Sequence, residues 1–166
     1  MKRQLVLVPL LVALVAGCGG GGSSKAAPAP AAPRAAAEVK ARPKPKPRTG
    51  KRVTLHRSDY GKILADGRGR ALYLFTRDEA KSRCYGDCAE AWPPFLTKGA
   101  PRAGSRVKQK LLGTVRRSDG KKQVTYAGHP LYYYVGDHEP GQVLCQAVLE
   151  YGGYWYVVKR GGDPVK

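Results

Sequence analysis

The sequence predicts a small all-β domain, antiparallel, built from two hairpin-based repeats with one short helix and preceded by a disordered tether. Three observations point there. Aromatic and β-branched runs are punctuated by Gly, Asp and Pro, the pattern of short strands between turns. A run of motifs occurs twice. Residues 19 to about 52 are too poor in apolar side chains to offset the entropy of ordering.

The first seventeen residues have the layout of a cleaved signal. Lys2 and Arg3 precede an apolar run from Leu5 to Ala16, too short to span a bilayer as a mature helix. Val15-Ala16-Gly17-Cys18 then places small residues before a cysteine, a lipobox-like pattern after which Cys18 would be the acylated first residue. Residues 18–52 read as a linker of four glycines, an Ala/Pro stretch and Lys44-Pro45-Lys46-Pro47, extended where Pro is dense. Residues 53–166 read as the folded part, with repeat 1 at about 57–100 and repeat 2 at about 117–162.

Gly61-Lys62, Leu72-Tyr73 and Asp78 recur 59 positions on as Gly120-Lys121, Leu131-Tyr132 and Asp137. Arg57-Ser58-Asp59 recurs just upstream as Arg117-Ser118-Asp119. Both copies carry Tyr-x-aromatic-x-x-Asp: Tyr73, Phe75 and Asp78 in the first, Tyr132, Tyr134 and Asp137 in the second. Each copy reads as a hairpin. Ile63-Leu64-Ala65 turns through Asp66-Gly67-Arg68-Gly69 and returns over 71–76, and Gln123 to Tyr126 turns through Ala127-Gly128-His129-Pro130 and returns over 131–135. Tyr154 to Val158 is a further strand between glycine pairs. Asp87 and Glu90 have capping-box spacing for a short helix over Cys88 to Trp92, ended by Pro93-Pro94.

These residues resemble the bacterial lipoproteins marked by the Y-x-(F/W/Y)-x-x-D motif, the secreted repeat of unknown function. The resemblance covers nearly all of 53–166. Beyond the paired motif it includes Cys84-x-x-x-Cys88-Ala89 leading to Trp92-Pro93-Pro94, Gly128-His129-Pro130-Leu131-Tyr132, and Gly153-x-Trp155-Tyr156-Val157-Val158. It implies an envelope lipoprotein and carries an association with hydrocarbon (alkane) catabolism, to which these residues add nothing. Cys145 lies in a variable part of the pattern and inherits no role.

Charge bounds the partners. The chain holds 30 Lys+Arg against 12 Asp+Glu. A cationic tether beside a membrane is drawn to anionic lipid or to acidic envelope polymers, and a solvated spacer is the plain alternative. Export argues against nucleic acid, and no nucleic-acid motif is present. Cys84 and Cys88 suit an extracytoplasmic disulfide that staples the loop to the helix. Their three-residue spacing differs from a thioredoxin-like pair. Three cysteines remain once Cys18 is lipidated, and sequence does not select among the three possible bridges or fix the state of Cys145. Asp78 and Asp137 could be a carboxylate pair for catalysis, but following strands as they do, turn acceptors of backbone N–H groups are the better reading. His56, His129 and His138 show no metal-ligand spacing, and no cofactor or catalytic residue is expected. Tyr132-Tyr133-Tyr134 must place rings on both sheet faces, and an exposed aromatic face rimmed by Lys and Arg would suit glycans or acidic amphiphiles. The expected function is a non-catalytic, membrane-anchored binding module outside the cytoplasm. The alternative is a redox or metal-handling protein using Cys84, Cys88, Cys145 and the histidines.

Overall fold

The computed structural model describes residues 50–166. The signal, Cys18 and nearly all of the linker lie outside the described residues.

Among the described residues, nine strands form three three-stranded sheets. The first contains β1 (Arg52–Ser58), β2 (Gly61–Asp66) and β4 (Arg102–Ala103), in the order β2-β1-β4. The second, in the order β3-β9-β8, contains β3 (Tyr73–Phe75), β9 (Gly153–Val157) and β8 (Val148–Glu150). The third runs β5 (Leu112–Arg116), β6 (Lys122–Tyr126), β7 (His129–Pro130). All pairings are antiparallel except the two-residue contact of β1 with β4. The helix α1 is Asp87–Ala91. Its N-cap is Gly86, at φ +55°, with no side-chain cap bond, so the capping box predicted from Asp87 does not form. Asp87 is already the first helical residue and cannot cap it.

The hairpins differ from the expected ones in a single respect. The main hairpins are β1–β2 and β5–β6, one strand upstream of the predicted pairs. The returning segments hold to their predicted partners for only a short way, through the Ala65–Ala71 bridge and the Thr125–Pro130 pair. Then the chain crosses over: Tyr73 pairs with Val157 of β9, and Tyr132 bridges to both Tyr73 and Pro94. The aromatic motif therefore joins the two repeats and does not close either hairpin.

The repeat is nonetheless real. Leu64 N–H bonds Val158 O while Val124 N–H bonds Phe95 O, and Leu72 N–H bonds Leu64 O while Leu131 N–H bonds Val124 O. These bonds make Leu64 the counterpart of Val124 and Leu72 of Leu131. The first turn holds two residues (Asp59-Tyr60) between paired Ser58 and Gly61. The second holds three (Ser118 to Gly120) where Arg117 N–H meets Lys121 O. The matching Arg-Ser-Asp triplets thus occupy different steps. Arg57 pairs with Lys62 as Arg116, not Arg117, pairs with Lys122.

Strand alternation divides the apolar side chains between two cores. Leu64, Leu72, Leu74, Leu131 and Val158 enter one. Ile63, Tyr73, Phe75, Tyr132 and Val157 enter the other. Neighbours in sequence point to opposite faces, and both faces are covered, which is why these runs are almost continuously hydrophobic. The tyrosine triplet follows the same rule: Tyr132 and Tyr134 join one core and Tyr133 packs on the other. The triplet is structural core, not an exposed aromatic face.

Candidate functional site

Tyr73 and Tyr132 meet at the junction between repeats. Their backbones exchange two hydrogen bonds, Tyr73 N–H to Tyr132 O at 2.8 Å and Tyr132 N–H to Tyr73 O at 2.9 Å. Each ring then reaches the other repeat's aspartate. The Tyr73 hydroxyl donates to Asp137 Oδ2 at 2.6 Å, and the Tyr132 hydroxyl donates to Asp78 Oδ2 at 2.7 Å. The second oxygen of each carboxylate holds its own loop: Asp78 Oδ1 accepts Arg83 N–H at 2.8 Å, and Asp137 Oδ1 accepts Leu144 N–H at 3.0 Å. All four groups are buried. Each aspartate is thus spent on structure, bonded once within its repeat and once across.

The tryptophans obey the same pairing. Trp92 and Trp155 stack face to face at 4.1 Å, with Phe75 against Trp155 at 4.1 Å and Tyr134 against Trp92 at 4.8 Å. Tyr73 and Tyr132 meet Trp92 and Trp155 edge-on at 5.1 and 5.2 Å. Ring pairs in these geometries contribute beyond their area burial. Every ring of the motif in one copy rests on the tryptophan of the other copy or beside its own.

Burial sets the protonation of this cluster. It lifts Asp78 to about 6, against the lowering effect of the bonds from Tyr132 and Arg83 and of the Arg117 charge. It also raises the Tyr73 and Tyr132 hydroxyls, to which the neighbouring carboxylates add. Tyr134 is raised to about 12, chiefly by the neighbouring Cys145 thiol.

Cys84 and Cys88 form a disulfide with Cα atoms 5.3 Å apart, and Cys145 is free. Arg117 clamps this loop to the second repeat. Its guanidinium donates to Cys84 O and to Gln123 Oε1, both at 2.8 Å, and to Ser82 Oγ, and lies 4.3 Å over the Tyr85 ring. Ser82 also bonds Tyr132, so the network runs from Asp78 to Arg117 without a break. Sequence reasoning noted Arg117 only as a repeat match. A buried arginine has no local signature, because its partners come from positions 82, 84 and 123.

The histidines are dispersed. His56 sits on β1 against Gly69, His129 is in β7, and His138 follows Asp137 with its N–H on Gln142 Oε1. Among the described residues no three His, Cys, Asp or Glu side chains gather as metal ligands.

Among the described residues, two basic grooves open at the surface. The larger, about 730 Å³, has Lys51, Lys98, Lys121 and Lys122 around Leu96 and Thr97. Backbone bonds set this arrangement: Lys51 N–H bonds Thr97 Oγ1, and Thr97 N–H bonds Lys122 O, so the 96–98 segment lies between the starts of β1 and β6. The second, about 470 Å³, is lined by Lys51, Arg68, Arg70, His138, Asp66 and Tyr133, with Asp137 beneath. Asp66 Oδ1 accepts the N–H groups of Arg68 and Arg70, and its Oδ2 accepts the Tyr133 hydroxyl. Arg70 lies 4.6 Å over the Tyr133 ring and donates to Tyr134 O. Gly69, at φ +92°, lets the following loop approach: a Cβ there would stand 2.9 Å from Pro140, and Gly141 N–H bonds its carbonyl.

The family model described as a secreted repeat of unknown function matches twice, over residues 54–95 and 113–159. The chain belongs to this family. The two matches of the secreted repeat coincide with the two structural copies, each running from a main hairpin through the aromatic motif to a tryptophan, Trp92 after α1 in the first and Trp155 on β9 in the second. The secreted-repeat assignment places the domain outside the cytoplasm. No helix among the described residues is long and apolar enough to cross a membrane. No curated protein and no solved structure matches the chain.

Proposed function

We propose that the secreted-repeat domain is a non-catalytic binding module, held at the membrane by an acylated Cys18, whose partner is an acidic surface or polymer of the cell envelope. One observation carries this reading: the domain's cations are largely uncompensated. Residues 50–166 contain 21 Lys and Arg against 11 Asp and Glu. The ion pairs among the described residues involve only Arg83 with Glu79, and Arg117 and Lys121 with Asp119. Asp66, Asp78 and Asp137 are occupied by hydroxyl and N–H donors. A field of one sign concentrates oppositely charged partners and weakens with salt.

A catalytic role for the carboxylates finds no support in this geometry, since each oxygen of Asp78 and Asp137 already accepts a bond. The redox reading is equally unsupported, because the bridge is sealed: Cys84 is 0 % and Cys88 6 % exposed, under Arg117 and Tyr85. The test is fractionation. The protein should sediment with isolated envelopes at low salt and be released from them, for the Cys18→Ser form, by about 0.5 M salt, where the Debye length is only a few ångströms. Sedimentation of that form that salt leaves untouched would remove the electrostatic reading. Wild-type behaviour indistinguishable from Cys18→Ser at high salt would remove the lipid anchor.

A further inference from the structure

We infer that the two basic grooves form one track that binds a linear phosphodiester polymer, a deepening that rests on the binding reading above. Lys51 lines both grooves, so they adjoin at this residue. Together they present Lys98, Lys121, Lys122, Lys51, Arg68 and Arg70, with Lys51 common to both. All but Arg70 are exposed. Asp119 shares Lys121, at 3.6 Å, and is the one carboxylate paired to a lysine of the track. The two carboxylates of the second groove, Asp66 and Asp137, are filled by donors from the protein itself.

The chemistry of the lining selects the ligand. The first groove is a lysine site, and lysine acts as a flexible point charge that can hold separate anionic groups without the fixed fork geometry by which arginine grips a single carboxylate or phosphate. Six cations spread over two grooves do not converge on a single anion, which disfavours a free phosphate and favours repeating charges. The floor of the larger groove is Leu96, Thr97 and the lysine stems, and lysine stems are apolar below a charged head. A polymer that alternates short carbon links with phosphates can lay the links on this floor and offer the phosphates to the ammonium groups. A bilayer fits less well. The large exposed apolar side chains, Tyr60, Tyr85, Val135, Leu144, Leu149, Tyr151 and Tyr154, line neither groove, so nothing in the track inserts among lipid tails.

The test is lysine footprinting on the whole chain in detergent, with poly(glycerol phosphate) as the probe. Acetylation read by mass spectrometry should slow about threefold or more at Lys51, Lys98, Lys121 and Lys122, and hardly at Lys62, Lys108, Lys110 and Lys166. A variant carrying Lys51→Gln, Lys98→Gln, Lys122→Gln and Arg68→Gln should bind at least tenfold more weakly at low salt. Its slope of log affinity against log salt should be shallower by roughly 3, at about 0.7 per lost contact. Exposed positions leave folding intact, which equal thermal unfolding of the two proteins checks. Binding with even protection and no loss in the variant would overturn the track while leaving the binding reading in place. Absence of binding to the polymer and to envelopes alike would overturn both. Equal binding of polyglucuronate would overturn the phosphate chemistry, and the same footprint on anionic vesicles without the polymer would assign the track to a membrane surface instead.

Discussion

Asp137 shows what the repeated aspartate does. It is fully buried and takes one bond from Tyr73 and one from the Leu144 N–H. Removing it leaves the buried Tyr73 hydroxyl and the part-buried Leu144 N–H without an acceptor, and a buried donor so stranded costs on the order of 1–3 kcal/mol. Asp137→Ala should therefore lower unfolding free energy by at least that amount. Combined with Tyr73→Phe it should show a coupling of about 1 kcal/mol in a double-mutant cycle read by denaturant unfolding. Additive losses would mean that the hydroxyl and carboxylate do not act as a pair. Asp78 adds a pH dependence. Its folded pKa of about 6 lies above the ordinary 3.8, so the folded state binds a proton between those values that the unfolded chain does not. The stability due to this group is complete below 3.8 and is lost as pH rises through about 6. Measured against Asp78→Asn, the wild type should lose on the order of 1–3 kcal/mol across that window. A difference that stays flat with pH would show that the carboxylate is not desolvated.

At the scale of elements, local chemistry and long-range pairing separate. The turns at Asp66–Gly69 and Ala127–Gly128 lie where their glycines and aspartate predict, because turn geometry is local. The strand over 154–158 is equally legible from its aromatic and β-branched run. Partner choice was not legible. Tyr73–Phe75 has the composition of a hairpin return, yet it pairs with β9, some eighty residues on, because only there do its rings meet Trp155 and Trp92. The Cys84–Cys88 bridge closes a loop of five residues, contributing roughly 2 kcal/mol on the chain-entropy account, and Arg117 fastens that loop to the other repeat.

At the scale of the molecule, the two copies complete each other's core. The crossed Tyr–Asp bonds, the Trp92–Trp155 stack and the Phe95 and Val158 carbonyl bonds all run between repeats. A half-length chain would expose the tryptophan face and strand both aspartates. Residues 50–108 expressed alone should therefore lack a cooperative thermal transition and dispersed amide resonances, and mixing with residues 109–166 should restore both. Cooperative unfolding of either half by itself would show that the repeats are independent domains.

The sequence by itself determined that there are two copies, that they are β-structured, and that the paired cysteines, aromatic residues and aspartates belong to the folded part, since spacing, propensity and turn chemistry are local properties of the chain. Only the tertiary structure decided that each Tyr73 or Tyr132 bonds the aspartate of the other copy, that Arg117 is buried, and that Lys51 joins two basic grooves. The reason is that the two copies are alike. Tyr73 faces equivalent aspartates at 78 and 137, and nothing in its neighbours along the chain favours one over the other. The choice is made by which crossing lets both tryptophans stack and both carboxylates fill, and that is a property of the assembled pair.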